Sequence, residues 1–506
     1  MPILAKPLVL WTSLAYLVLL VAIGLWAARR TRSARDFFIA GQSLGLVVTG
    51  LSATSAAFSG FVFIGGPGLV YRMGVGSLFI CLSVGFTSGL LCWVVAKRLR
   101  LLAEVRPVYT VPDALLARYR SRVVSGLAAA AVLAGTVAYL GAQIQALGVL
   151  IEAVFGLREP LGENGLLVAM AIGLAVVVFY SMAGGMIAGA YTNLLQGTLM
   201  VVAAVGVFYY ALRSGGGLGR ISSQIASSPE FGPGFLDPFG QVPVFTAIGF
   251  FFVFAVGTLG QPHMLHKFYM LGDVAKLKWM PAVIGTSQAA CILIWLGIGL
   301  AVPALVAGGG MAALTRPDDA SPAFVLEHVP AVLAGLVFAG ILAAIMSTAD
   351  SFVNVGAAAL IRDLPTAFGW KLPDQLLWGR VAVLLIAVSA AVFSRAFGDL
   401  IALLGTFAFA TFGAALAPVV AVGLNWKRVT AGAATASIAT GLGVNLILEL
   451  LARQSLFPAW PRPVLPAGVL PGAVALAASF AVLFVWSWLD RPGAEVDEDV
   501  ALVMRL

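Results

Sequence analysis

Ala344, Ser347 and Thr348 stand at i, i+3 and i+4 in an apolar stretch that runs from Gly340 to Ser351. On a helix these three share one face. Asp350 and Ser351 fall beside it. Hydroxyls next to a carboxylate are hard oxygen ligands, which suit a small cation. A charged residue within a bilayer costs roughly 2.5–3.5 kcal/mol or more, so Asp350 is a functional candidate by its position alone. The bland alternative is that Ser347 and Thr348 bond back to carbonyls one turn earlier.

The elements that must hold such a face are transmembrane helices. Of 506 residues, 61% are hydrophobic and only 10% charged. A soluble domain carries about 25% charged residues, so this is an all-α polytopic membrane protein. About thirteen apolar runs are long enough to cross roughly 30 Å of hydrocarbon. The first, Leu8–Ala27, reads as a span rather than a cleaved signal peptide. With the N-terminus outside and the C-terminus inside, most of the Lys and Arg fall in inside segments, including Arg29–Arg35 and the block from Lys97 to Arg122. That asymmetry is the positive-inside pattern. It accounts for the net charge of +8 without a nucleic-acid partner. Cys81, Cys92 and Cys291 lie in apolar runs and fit no metal or disulfide spacing. No phosphate-binding loop, nucleophile–base pair or metal cluster appears. An enzyme is therefore the weakest class, and no cofactor is implied.

Two runs are interrupted by turn formers. Span two carries Ser59–Gly60–Phe61 and then Gly65–Gly66–Pro67–Gly68, and span seven carries Gly257–Thr258–Leu259–Gly260–Gln261–Pro262–His263. Broken helices five spans apart predict a transporter with inverted repeats and a midplane site. The organisation expected is an extra helix and inner loop at 1–44, a first repeat at 45–213, an outer loop at 214–242, a second repeat at 243–424, and extra helices with a short tail at 425–506. Substrate candidates beside the breaks are Ala57, Ser59, Gly60, Phe61, Gln143, Phe254, Thr258 and Gln261. Small polar groups amid aromatics suit a small solute. No basic residue is expected at the midplane; His263, His266 and Lys267 read as a helix end.

Several motifs in order and spacing resemble the sodium/solute symporter family of proline, pantothenate, sugar and monocarboxylate carriers. They are Arg35–Asp36–Phe37–Phe38–Ile39–Ala40–Gly41–Gln42–Ser43–Leu44–Gly45, Thr110–Val111–Pro112–Asp113, Tyr180–Ser181–Met182–Ala183–Gly184–Gly185–Met186–Ile187–Ala188, Gly260–Gln261–Pro262–His263, Ala343–Ala344–Ile345–Met346–Ser347–Thr348, and Lys427–Arg428 with Gly432–Ala433. The resemblance covers about residues 35 to 440. It implies a LeuT-like fold with a five-plus-five inverted repeat in a bacterial plasma membrane.

The resemblance also implies a sodium site. Its ligands match backbone carbonyls of Ser55 and Phe58, the carbonyl of Ala344 and the hydroxyls of Ser347 and Thr348. Some members place a second ion near positions matching Asp350 and Ser351. Many carry an Asp where Asn193 stands here, so the carboxylate is expected to have moved across to Asp350, as an ion ligand or proton relay. Proline carriers have an Asp where Ala57 stands and aromatics where Phe254 and Thr258 stand. Proline is therefore not the expected solute. The expected function is sodium-coupled import of a small amino acid or monocarboxylate-like solute by alternating access. A proton-coupled carrier using Asp350, or a membrane solute sensor of the same fold, are the alternatives.

Overall fold

The computed structural model describes residues 7–28, 43–183, 186–370, 372–397, 400–453, 463–490 and 496–506. The motif over 35–42, the glycines 184 and 185, and the basic residues Arg29, Arg30, Arg32, Lys371 and Arg491 lie outside them. The described chain is helical: α1 Pro7–Ala28, α2 Leu46–Ala57, α3 Phe61–Met73, α4 Val75–Val105, α5 Val111–Tyr119, α6 Arg122–Phe155, α7 Asn164–Ala183, α8 Met186–Gly215, α9 Leu218–Ala226 and α10 Val244–Gly260. There follow α11 Pro262–Phe268, α12 Val274–Ala307, α13 Ala320–His328, α14 Ala331–Phe368, α15 Gln375–Phe397, α16 Ile401–Val422, α17 Ala431–Leu451, α18 Pro471–Leu489 and α19 Glu498–Arg505.

Nine of these are long and apolar enough to cross a membrane, or eleven if each bent pair is one span, among the described residues. The chain is an integral membrane protein. Burial separates inner from outer helices. The apolar window of α16 is 94% buried, against 28% for α17, so α16 sits at the centre and α17 faces lipid. α14 packs against α1, α2, α6 and α8, and α16 against α6, α10 and α17.

Both expected interruptions are real bends. α2 turns into α3 by 56° and α10 into α11 by 46°. Phe58 is extended at φ −100°, ψ 115°, which ends α2. Gln261 is extended at φ −79°, ψ 101°; the ring of Pro262 drives its predecessor out of the helical region. α3 opens with a π-turn over Phe61–Gly65.

The outer loop at 214–242 and the polar segment at 309–328 both contain structure. Within 214–242, α9 buries Ile221 and Ile225 on one face, an i,i+4 pair short enough to be lost among glycines. Within 309–328, α13 is pinned to α3 by Ser321 Oγ donating to the Phe63 carbonyl at 2.6 Å. Just before it, Arg316 bridges Glu152 and Asp319, the latter at 2.9 Å. At the other end of the bundle, Thr110 and Asp113 form a capping box at the start of α5. Arg362 of α14 holds the same Asp113 at 2.7 Å, tying α5 to the helix that carries the hydroxyl face.

Candidate functional site

The break after α2 leaves backbone groups without helical partners, and the neighbouring helices supply them. The Gly60 N–H donates to Gln143 Oε1 of α6 at 2.9 Å. The Phe61 N–H donates to Ser59 Oγ at 3.1 Å. Val62, the i+4 donor a continuous helix would give to Phe58, donates instead to the Ser59 carbonyl at 2.9 Å. The carbonyls of Ala56, Ala57 and Phe58 are thereby released from the ladder.

α14 crosses α2 at this point. Ser347 Oγ donates to the Ser55 carbonyl at 2.8 Å. Thr348 Oγ1 reaches the Ser55 carbonyl at 3.4 Å and the Ala56 carbonyl at 3.3 Å. Ser347 also bonds back to the Ala344 carbonyl at 3.1 Å, so the bland reading holds for that one contact and not for the rest. Ser55, Ala344, Ser347 and Thr348 are all buried. Hydroxyls and carbonyls are hard, neutral donors. A small cation among them would take the lone pairs of both hydroxyls and of the released carbonyls, which these residues can offer without a charged ligand.

The other candidates for ion binding sort differently. Ser351 Oγ bonds back to the Ser347 carbonyl at 2.8 Å. Asn193 Nδ2 donates to Ser52 Oγ of α2 at 3.1 Å. Asp350 Oδ1 accepts from Asn354 Nδ2 at 3.1 Å. The charge that Asp350 faces is Lys267 of α11. Lys267 stands in the last turn of α11, as its place after the break suggested, yet it is only 2% exposed. His263, one turn earlier, is likewise buried, packed on Phe352 at 4.1 Å between ring centres.

Beside the break lies a small cavity of about 60 Å³. Ala57, Phe61, Phe254 and Thr258 line it. Ser59, Gly60, Gln143 and Gln261 are not among its lining residues. They hold the breaks together: Ser59 Oγ meets Tyr139 Oη at 3.2 Å, and Gln261 Nε2 reaches the Gly257 and Phe409 carbonyls at 3.0 and 3.1 Å. The remaining walls include Thr87, Tyr139, Gln288, Trp295 and Phe409. Of these, Gln288 carried a signal, as a carboxamide within an apolar run. Trp295 carried none.

Gln143→Leu removes the acceptor of a buried N–H, which costs about 1–3 kcal/mol. The purified variant should melt several degrees below the wild type; an unchanged melting temperature would show that Gly60 finds another acceptor.

The sodium:solute symporter family model matches residues 37–441. The chain is 30% identical over 440 residues to the osmoregulated proline transporter OpuE of Bacillus subtilis, covering 85% of this chain and 87% of that one. It is 29% identical to the sodium/proline symporter of Escherichia coli, covering 85% of each. Its fold is similar to that of a Na+-coupled sialic acid symporter in a substrate-bound outward-open state, with a TM-score of 0.76 at 16% identity over 96% of this chain and 99% of that one. The fold is LeuT-like. With its bent helix pairs and the oxygen cluster between α2 and α14, this chain belongs to the sodium:solute symporter family, whose members are transporters rather than enzymes.

Proposed function

We propose that this protein imports a small amino acid or monocarboxylate-like solute together with sodium by alternating access. The observation that carries the reading is the convergence of the Ser347 and Thr348 hydroxyls on the Ser55 and Ala56 carbonyls. Sodium is held by the carbonyls of Ser55, Phe58 and Ala344 and by those two hydroxyls. The ion ties α2 to α14. α2 and the break after it also wall the cavity, through Ala57 and Phe58. Ion binding thus orders the solute site, and by linkage solute binding tightens the ion to the same degree. Each inward sodium adds about 2.3 kcal/mol per 100 mV of membrane potential.

The repeats are 45–213 and 243–424, flanked by 1–44 and 425–506, with 214–242 outside. The N-terminus is outside and the C-terminus inside a bacterial plasma membrane, an orientation supported by the distribution of Lys and Arg. Asp350, Ser351 and Asn193 are the candidates for a second ion or proton site. The small-solute reading draws support from the relatives, which are named as proline transporters.

The test is uptake of labelled amino acids and short carboxylates into proteoliposomes under an inward sodium gradient. Uptake should need sodium and should rise with an inside-negative potential. Uptake that proceeds without sodium but follows a pH gradient would replace this reading with proton coupling through Asp350.

A further inference from the structure

The cavity beside the ion site has no charge of its own. None of its twenty lining residues is Asp, Glu, Lys, Arg or His. One wall is aromatic. Phe61 stacks on Phe254 at 5.4 Å, Phe254 on Phe409 at 4.4 Å, and Trp295 tilts against Phe61 at 5.7 Å. The facing helices α4 and α12 contribute Thr87 and Gln288, which are 5% and 4% exposed. Neither side chain has a hydrogen-bond partner among the described residues. The Trp295 indole N–H is also buried without an acceptor. Buried polar groups left unpaired cost about 1–3 kcal/mol each, so they mark where a ligand's own polar group belongs.

These three groups can all donate. Gln288 offers an amide NH2, Thr87 a hydroxyl and Trp295 an N–H. A carboxylate accepts from donors of this kind and never donates. The ion site supplies the remaining element. Phe58, whose released carbonyl serves the ion, and its neighbour Ala57 both line the cavity. One bound sodium therefore sets a single positive charge at the cavity's edge.

An ammonium group finds acceptors in the released Ala57 carbonyl and the Gln288 carboxamide, but no counter-charge. No carboxylate faces it, and an unpaired buried ion costs several kcal/mol. The bound sodium repels it. Cation–π attraction would need an open ring face. The faces of Phe61, Phe254 and Phe409 are turned on one another.

Resting on the symport reading above, we propose that the solute is a small monocarboxylate anion with an apolar body and no ammonium group. Its charge cancels that of the ion, its carboxylate takes the free donors of Gln288, Thr87 and Trp295, and its body lies on the aromatic wall.

Wild-type proteoliposomes under an inward sodium gradient decide the matter with matched pairs. Cyclopentanecarboxylate is compared with proline, and 3-phenylpropanoate with phenylalanine. The expected result is sodium-dependent uptake of at least one carboxylate, more than tenfold faster than that of its amino-acid partner. Equal or faster sodium-dependent uptake of the amino acid would overturn the inference and leave sodium symport standing. Carboxylate uptake indifferent to sodium would overturn the symport reading instead. Failure of all four to move would count against the inference, and sodium-22 influx would then test the ion site separately. Gln288→Glu keeps the size of the side chain and puts an anion beside the carboxylate. It should cut carboxylate uptake more than tenfold by raising KM, and an unchanged KM would remove Gln288 from the site.

Discussion

Ser347→Ala with Thr348→Ala should raise the sodium concentration for half-maximal uptake by about a hundredfold or more. Both hydroxyls lie within 3.4 Å of the Ser55 carbonyl across the α2–α14 contact. Hydrogen-bond-like contacts to a charged group are worth about 1.5–3 kcal/mol each. Losing two of them therefore removes at least about 3 kcal/mol, and each 1.4 kcal/mol is a factor of ten. Contacts that merely pack α2 on α14 would predict a different pattern. They would lower the melting temperature equally with and without sodium and leave the sodium dependence of uptake alone. Thr348→Ser separates the two, because it keeps the oxygen and loses only a methyl. It should retain near wild-type sodium affinity. An Ala/Ala variant with wild-type sodium dependence would remove these residues from the ion site.

The second large effect concerns Lys267 and Asp350. Both are buried, at 2% and 7% exposure, on helices that pack together, and their opposite charges act on each other across that contact. Removing one member of a buried pair strands the other and costs about 3–5 kcal/mol, whereas replacing both with neutral groups of similar size is often close to neutral. Lys267→Met and Asp350→Asn should each lower the melting temperature strongly. The double variant should recover most of that loss. A double variant as unstable as the sum of the singles would mean that the two charges do not compensate each other. The same variants address ion coupling. Asp350→Asn uptake with unchanged sodium dependence would assign Asp350 to linking α11 and α14 rather than to binding an ion.

Much of the site was legible because its determinants are local. The face of Ala344, Ser347 and Thr348 follows from helical spacing. The break at Gln261–Pro262 follows from the missing N–H of proline and the strain it places on its predecessor. That at Phe58–Gly60 was marked by Ser59 and Gly60. Composition alone dictated a membrane chain, since nothing else could cover so much apolar surface.

What stayed hidden depends on which helix lies beside which. Ser59, Gly60, Gln143 and Gln261 have the right types for a substrate site. A broken helix must first satisfy its own backbone, though, and these residues do that work. The polar wall of the cavity includes Thr87 and Gln288 beside Thr258, on helices distant in sequence from each other. Lys267 does end α11, but its burial and the opposite charge of Asp350, eighty-odd residues away along the chain, belong to the packed bundle alone. Sequence by itself determined the spans, the breaks and the hydroxyl face, all set by spacing along one helix. Tertiary structure decided the cavity walls and the buried charge pair, because side chains from separate helices acquire a shared environment only when the bundle closes around them.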